Sequence, residues 1–159
     1  MNVFKAVSRI LSELLDGPPA EWAFVLNPGD LGLLRSLAQL SAEQASAIPA
    51  GGGGSIAAHV DHLRYGMELV NRWSRGENPF ADADYSASWT RTTVTTEEWA
   101  ERVAGLKREA QAWSEALQRE REVDETELTG IVSTVAHLAY HTGAIRQIDR
   151  SARGPAAKD

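Results

Sequence analysis

The stretch "VAHLAYHTGAIRQI", residues 135–148, repeats its apolar residues at helical spacing. At about 100° per residue these side chains fall on one arc of a helix, together with Ile131. His137 and His141 are four residues apart and therefore lie one turn apart on the flank of that arc. Two imidazoles in this relation can bind one ion, as they do in HExxH helices. The stretch predicts a helix from Glu127 to Arg150 that carries two candidate metal ligands.

The other two of the four histidines occur together in "SIAAHVDHLRYGMELV", residues 55–70. The apolar period predicts a helix from Ser55 to Ser74, with His59 and His62 on its buried arc. Helix bundles build metal sites from side chains on facing helices. One histidine from this helix and two from the last would form a three-imidazole set with an open position, which is the catalytic pattern for zinc and related ions. Imidazole suits Zn, Ni, Fe or Cu, and the spacing of the histidines does not choose among these ions.

Two further readings of the histidines need no catalytic metal. The first is a buried hydrogen-bonded network that joins the histidines to Tyr65 and Tyr140. The second is a closed structural site with four histidine ligands, which is geometrically awkward because His59 and His62 must turn toward one point. Gly66 lies one turn after His62 and costs the helix about 1 kcal/mol relative to alanine. We expect that this cost is offset because Gly66 leaves space for a ligand beside His62.

The tryptophans divide into core and candidate pocket residues. Trp99 and Trp113 stand at helical spacing and are predicted to lie in the core. Trp73 is on the histidine side of its helix and is predicted to wall a pocket. Trp89 lies in a polar connection between two helices and is the tryptophan that we expect to contact substrate or a partner subunit.

The sequence as a whole predicts an all-α fold, a four-helix bundle. Capping boxes stand at Ser41 and Thr95, and Asp30 is a candidate N-cap for a helix over 31–40. The long connection, residues 75–95, predicts a crossover between the second and third bundle helices, with one or two short extra helices near the N-terminus. Residues 1–150 form the single predicted domain, followed by a tail, 151–159, that we expect to fray. The four bundle helices are predicted at 2–16, 55–74, 96–121 and 127–150.

Composition excludes several classes of function. The chain has 159 residues, a formal net charge of -6 and no cysteine, so it has no disulfide, no thiolate nucleophile and no cysteine-containing metal site. Its 16 basic residues are scattered among 22 acidic ones, which disfavours nucleic-acid binding. No stretch approaches the ~18 apolar residues of a membrane span. The N-terminus does not resemble a secretory signal, so we predict a cytoplasmic protein.

The two quoted helices, with the crossover between the second and third bundle helices, resemble the DinB-like (YfiT-like) superfamily of bacterial bundle proteins over nearly the whole chain. In that family a His-Leu/Ile pair and an HxxxH motif supply three metal ligands. The resemblance implies that His62, His137 and His141 bind a divalent ion, often nickel or zinc. His59 has no counterpart in the family motif; we expect it to support a ligand, contact substrate or compete with His62.

The resemblance also implies homodimers and transfer of a low-molecular-weight thiol to a small electrophile. A bound ion would lower the pKa of the thiol, with His59, Tyr65 or Tyr140 positioning the substrate or moving a proton. A metal-dependent hydrolase and a non-catalytic, dimeric, metal- or ligand-binding bundle are the alternatives. Because ligating imidazoles must be neutral, the ordinary histidine pKa predicts that metal affinity falls below about pH 6.

Overall fold

The computed structural model describes residues 3–119 and 121–156, which contain helices and connections but no strand. The four longest helices form the bundle, as the sequence predicts: α4 packs against α6 and α7, and α1 packs against the same two helices. The α-helices are α1 (Val3–Asp16), α2 (Gly32–Leu37), α3 (Ala42–Ser46), α4 (Ile56–Ser74), α5 (Ala87–Thr90), α6 (Thr96–Leu117) and α7 (Glu125–Ile148). Within the described residues, no helix is both long enough and apolar enough to cross a membrane.

Side-chain caps fix where several helices begin. Ser41 and Thr95 each form the predicted capping box, and the Ser55 side chain accepts the N–H of Ala58 at the start of α4. The predicted core tryptophans, Trp99 and Trp113, are buried between the bundle helices. The caps and the apolar period therefore place α4, α6 and α7 as the sequence predicts, with small differences at the ends. Helix α6 ends at Leu117 and not at 121, and α7 begins at Glu125 and not at 127.

The first short helix departs from the prediction. It covers Gly32–Leu37, and its N-cap residue is Leu31 and not Asp30. The buried Asp30 carboxylate accepts the Gly32 N–H at 2.8 Å and also a hydrogen bond from the guanidinium of Arg146 on α7 at 2.8 Å. Asp30 therefore ties the N-terminal segment to the last bundle helix, a contact that local sequence does not encode.

The connection between α4 and α6 contains structure that the sequence analysis missed. A 3-10 turn, Pro79–Asp82, and the short helix α5 both pack against α4. The Arg91 guanidinium, just after α5, donates to the buried Asp61 carboxylate of α4 at 2.6 Å. Arg102 on α6 donates to the carbonyl oxygens of Ala57 and Arg91. These contacts fix the end of the crossover against the bundle.

The segment after α7, for which we predict fraying, begins with a second 3-10 turn, Arg150–Ala152. Ala152 is 1% exposed and belongs to the hydrophobic core. The burial of this methyl group anchors the start of the segment, and residues 157–159 lie outside the described residues.

Candidate metal centre

Three imidazoles converge between α4 and α7. The Nε2 atom of His137 lies 3.1 Å from Nε2 of His62 and 2.9 Å from Nε2 of His141. His62 and His141 are buried and His137 is half-buried. In residues 3–119 and 121–156 these three histidines form the group of side chains that could hold a metal ion, with their ligand atoms all within 4.8 Å of one another. The structure thus brings together the three histidines that the family motif indicates.

Hydrogen bonding alone does not explain this convergence. An Nε2 atom that carries hydrogen cannot accept, and one without hydrogen has a single lone pair. His137 Nε2 can therefore make only one good hydrogen bond, although two nitrogens contact it. A cation shared by the three lone pairs satisfies all of them. The donor set fits a divalent metal ion.

The protonation states also suit a metal. Burial, followed by repulsion from the neighbouring His137, His59 and His62, lowers the pKa of His141 to about 3. Burial is likewise the main cause that lowers the pKa of the other three histidines. All four rings are therefore neutral at neutral pH. The loss of metal affinity that the ordinary histidine pKa predicts near pH 6 moves to more acidic pH.

His59 contacts the cluster through the Nδ1 side of the His141 ring. Its Nδ1 atom lies 2.8 Å from Nδ1 of His141, and the two ring centroids are 5.0 Å apart. The contact uses the nitrogen of His141 that does not face His137. This arrangement allows His59 to fix the tautomer and the orientation of His141 while leaving the Nε2 lone pair of His141 for a metal.

Trp89 covers the histidines from the crossover side. Its ring centroid lies 4.9 Å from that of His62 and 5.1 Å from that of His59. Nδ1 of His62 is buried without a hydrogen-bond partner in the described part of the chain, so ring contacts such as the one with Trp89 surround this side of His62. A Cβ atom on Gly54 would lie 2.7 Å from the Trp89 ring, so this position admits the indole because it is glycine. Trp89 itself is 36% exposed.

The two tyrosines that the sequence indicated lie around the cluster. The Tyr65 hydroxyl accepts the N–H of Asp84 at 3.1 Å, and its ring packs on that of Tyr85. Tyr140 is 70% exposed and stands edge-on to His141, with ring centroids 5.0 Å apart. Neither hydroxyl is hydrogen-bonded to a histidine among the described residues.

A cavity of about 540 Å³ adjoins the cluster, between α4, α7 and the crossover. His137 and Trp73 both line it, so Trp73 occupies a pocket wall as its helix position indicated. Phe80 and Tyr85 form further walls, and the sequence analysis missed both. The available signal was that both stand, with Trp89, as the three large aromatic residues of an otherwise mostly polar connection.

Of the comparisons with known proteins, the one with family profiles gave a match. Neither the curated proteins nor the solved structures that were compared with the chain include a match. The sequence profile of the DinB superfamily matches residues 32–145, which is more than half of the chain and includes His62, His137 and His141. The chain belongs to the DinB superfamily.

Proposed function

We propose that this protein is a metal-dependent enzyme that transfers a low-molecular-weight thiol to a small electrophile. The observation that carries the proposal is the convergence of three buried or half-buried, neutral imidazole nitrogens beside an apolar cavity. A divalent ion held there supplies Lewis acidity, which lowers the pKa of a bound thiol. Nickel and zinc are the ions that we expect first, and iron is also compatible with imidazole.

The residues of the site have separate roles in the proposed reaction. His62, His137 and His141 would hold the ion, and His59 would hold the ring of His141 in place. Trp89 limits the access of bulk water to these rings. In the transfer itself, sulfur forms a bond to the electrophilic atom, whose leaving group departs with the bonding electrons, and the thiol proton passes to solvent.

Tyr85 is the hydroxyl that we assign to substrate binding. It lines the cavity, and its ring centroid is 6.0 Å from that of His62. Burial, with a smaller contribution from Tyr65, raises the pKa of Tyr85, so its hydroxyl stays protonated and donates a hydrogen bond. The chain has no cysteine, so the sulfur nucleophile must come from a co-substrate. A cytoplasmic location and a homodimer remain predictions. Size-exclusion chromatography with light scattering measures the mass of the protein in solution and tests the dimer.

Metal content tests the site. Untagged wild-type protein, His141→Ala and the surface control Val132→Ala are analysed by plasma mass spectrometry after incubation with Ni²⁺, Zn²⁺ or Fe²⁺. We expect about one ion per chain in the wild type and the control, and loss of the ion in His141→Ala. Wild-type protein that stays metal-free overturns the proposal.

Turnover tests the reaction. The metal-loaded protein is assayed with 1-chloro-2,4-dinitrobenzene and glutathione, bacillithiol or mycothiol, and separately with a simple aryl ester without thiol. Product formation that needs both thiol and metal supports a transferase. Ester hydrolysis without thiol favours the hydrolase, and a metal-loaded protein without either activity favours a non-catalytic binding bundle.

A further inference from the structure

The cavity beside His137 has the size of a small-molecule site. Its volume of about 540 Å³ falls within the ~300–1,000 Å³ that is usual for ligand pockets. Helices α4 and α7 form two sides, and Phe80 and Tyr85 of the crossover form a third. The rings of Trp73 and Phe80 meet nearly edge to face, with centroids 5.9 Å apart. The walls are therefore largely apolar, with aromatic rings beside the aliphatic side chains of Leu63, Met67 and Val70.

One of two glycines inside the long helices makes room for these walls. Gly66 on α4 and Gly130 on α7 both line the cavity, although glycine weakens a helix interior relative to alanine. A Cβ atom on Gly130 would lie 2.8 Å from the Trp73 indole, and one on Gly66 would lie 3.5 Å from the His137 ring. The indole occupies its place on the wall only because residue 130 has no side chain.

The lining offers almost no polar group to a ligand. Among the residues that the structure describes, no Asp, Glu, Lys or Arg lines the cavity. The hydroxyls of Ser133 and Thr134 donate to the carbonyl oxygens of Thr129 and Ile131 within α7. A charged ligand group placed here would lose its hydration without gaining an oppositely charged partner, because the Tyr85 hydroxyl offers a hydrogen bond but no charge.

The surroundings disfavour an anion in particular. Trp73 and Thr126 also line a neighbouring surface depression that contains the carboxylates of Asp124 and Glu127. The Glu127 carboxylate is paired with Arg121, but that of Asp124 caps α7 and faces no cation in the described residues. An anionic group near the Trp73 end would meet this negative charge.

We propose that this cavity binds the uncharged, apolar part of the substrate, an aromatic or compact aliphatic group, with the reactive end of the molecule at His137. His137 is at once a wall of the cavity and a member of the histidine cluster, so a molecule in the cavity is next to the candidate metal position. The identification of the ligand as the electrophilic substrate rests on the proposed function. The binding chemistry follows from the lining alone.

The test uses N-phenyl-1-naphthylamine, an uncharged aromatic dye whose fluorescence rises in apolar surroundings. Ser133→Phe places a ring in the cavity, and Val132→Phe places the same ring on the adjacent position of α7, which does not line it. We expect Ser133→Phe to weaken dye binding about tenfold or more and Val132→Phe to leave it within about twofold. Circular dichroism and metal content, measured on both variants, establish that each is folded with its histidine site intact.

Competition tests the charge preference. We expect 1-naphthol to displace the dye at a concentration about tenfold or more below that needed for 1-naphthoate. Equal dye binding by the two phenylalanine variants, or equal competition by the two naphthalenes, overturns the inference. Failure of the proposed function can be distinguished from failure of this inference. Wild-type protein that takes up no ion on incubation but still binds the dye refutes the metal site and leaves the apolar pocket supported.

Discussion

The Nδ1 atoms of His59 and His141 lie 2.8 Å apart, while the opposite nitrogen of His141, Nε2, faces His137. A ring that is hydrogen-bonded through one nitrogen presents the other to a metal in a fixed orientation. We therefore expect His59→Ala to weaken metal affinity about 10- to 100-fold without changing the number of ions bound. Competition against a chromophoric chelator measures the affinity.

The control for this prediction is His59→Gln, which keeps a polar group near His141 Nδ1 and is expected to recover part of the affinity. Wild-type affinity in His59→Ala would show that His59 only fills space. Complete loss of the ion in both variants would instead make His59 a ligand.

The structure predicts opposite changes in the free energy of unfolding for Gly66→Ala and Gly130→Ala. In Gly66→Ala the new methyl group lies 3.5 Å from His137, an ordinary contact, so the gain in helix propensity should raise the free energy of unfolding by about 0.5–1 kcal/mol. In Gly130→Ala the methyl group would lie 2.8 Å from the Trp73 indole, which must move, so we expect destabilisation of about 1–3 kcal/mol. Urea unfolding compares the two variants, and an equal effect of both contradicts this account of the cavity wall.

Asp61 fixes the crossover to α4. Its side chain is 5% exposed, whereas that of its partner Arg91 is 54% exposed, so a stranded Arg91 stays hydrated. We therefore expect Asp61→Asn to cost about 1–3 kcal/mol, less than the loss of a fully buried ion pair. It should also speed proteolytic cleavage within residues 78–95.

The matched control is Glu101→Gln, which breaks an ion pair with Arg108 in which the side chains are 70% and 62% exposed. This change should cost at most about 0.5 kcal/mol and leave the cleavage rate unchanged. Urea unfolding and limited proteolysis measure the two quantities. Equal stability losses in the two variants would remove Asp61 from its assigned role.

The lowered histidine pKa values predict how the metal-free protein responds to acid. Histidines of the unfolded chain titrate near pH 6.5, whereas the pKa of folded His141 is about 3. Between these values the unfolded state binds more protons than the folded state. The free energy of unfolding should therefore fall as pH is lowered below about 6.5, by up to about 1.4 kcal/mol per pH unit for each buried histidine.

Urea unfolding of chelator-treated protein between pH 7.5 and 5 measures this slope. His141→Leu removes the histidine whose pKa is lowered to about 3 and should make the slope shallower. A stability that is constant or rises on acidification in this range contradicts the burial of neutral imidazoles.

Much of the architecture follows from local sequence, because helical periodicity and capping act over a few residues. The apolar period predicts the four bundle helices, and the capping boxes at Ser41 and Thr95 place two of the helix starts. The spacing of His137 and His141 puts them on one helix face whatever the rest of the chain does. Helix α5 escaped prediction because its four residues are too few to show a period.

The sequence alone determined that the protein is a helical bundle with its histidines paired on two facing helices. The family motif already separated His62 from His59, but only the tertiary structure decided what each contacts: His62 faces His137, whereas His59 faces the other side of His141. It also decided that Trp89 covers these rings and that Asp61 holds Arg91, thirty residues away. The physical reason is that these contacts join elements distant in the chain. Their geometry depends on how the helices and the crossover pack, and no local period encodes that packing.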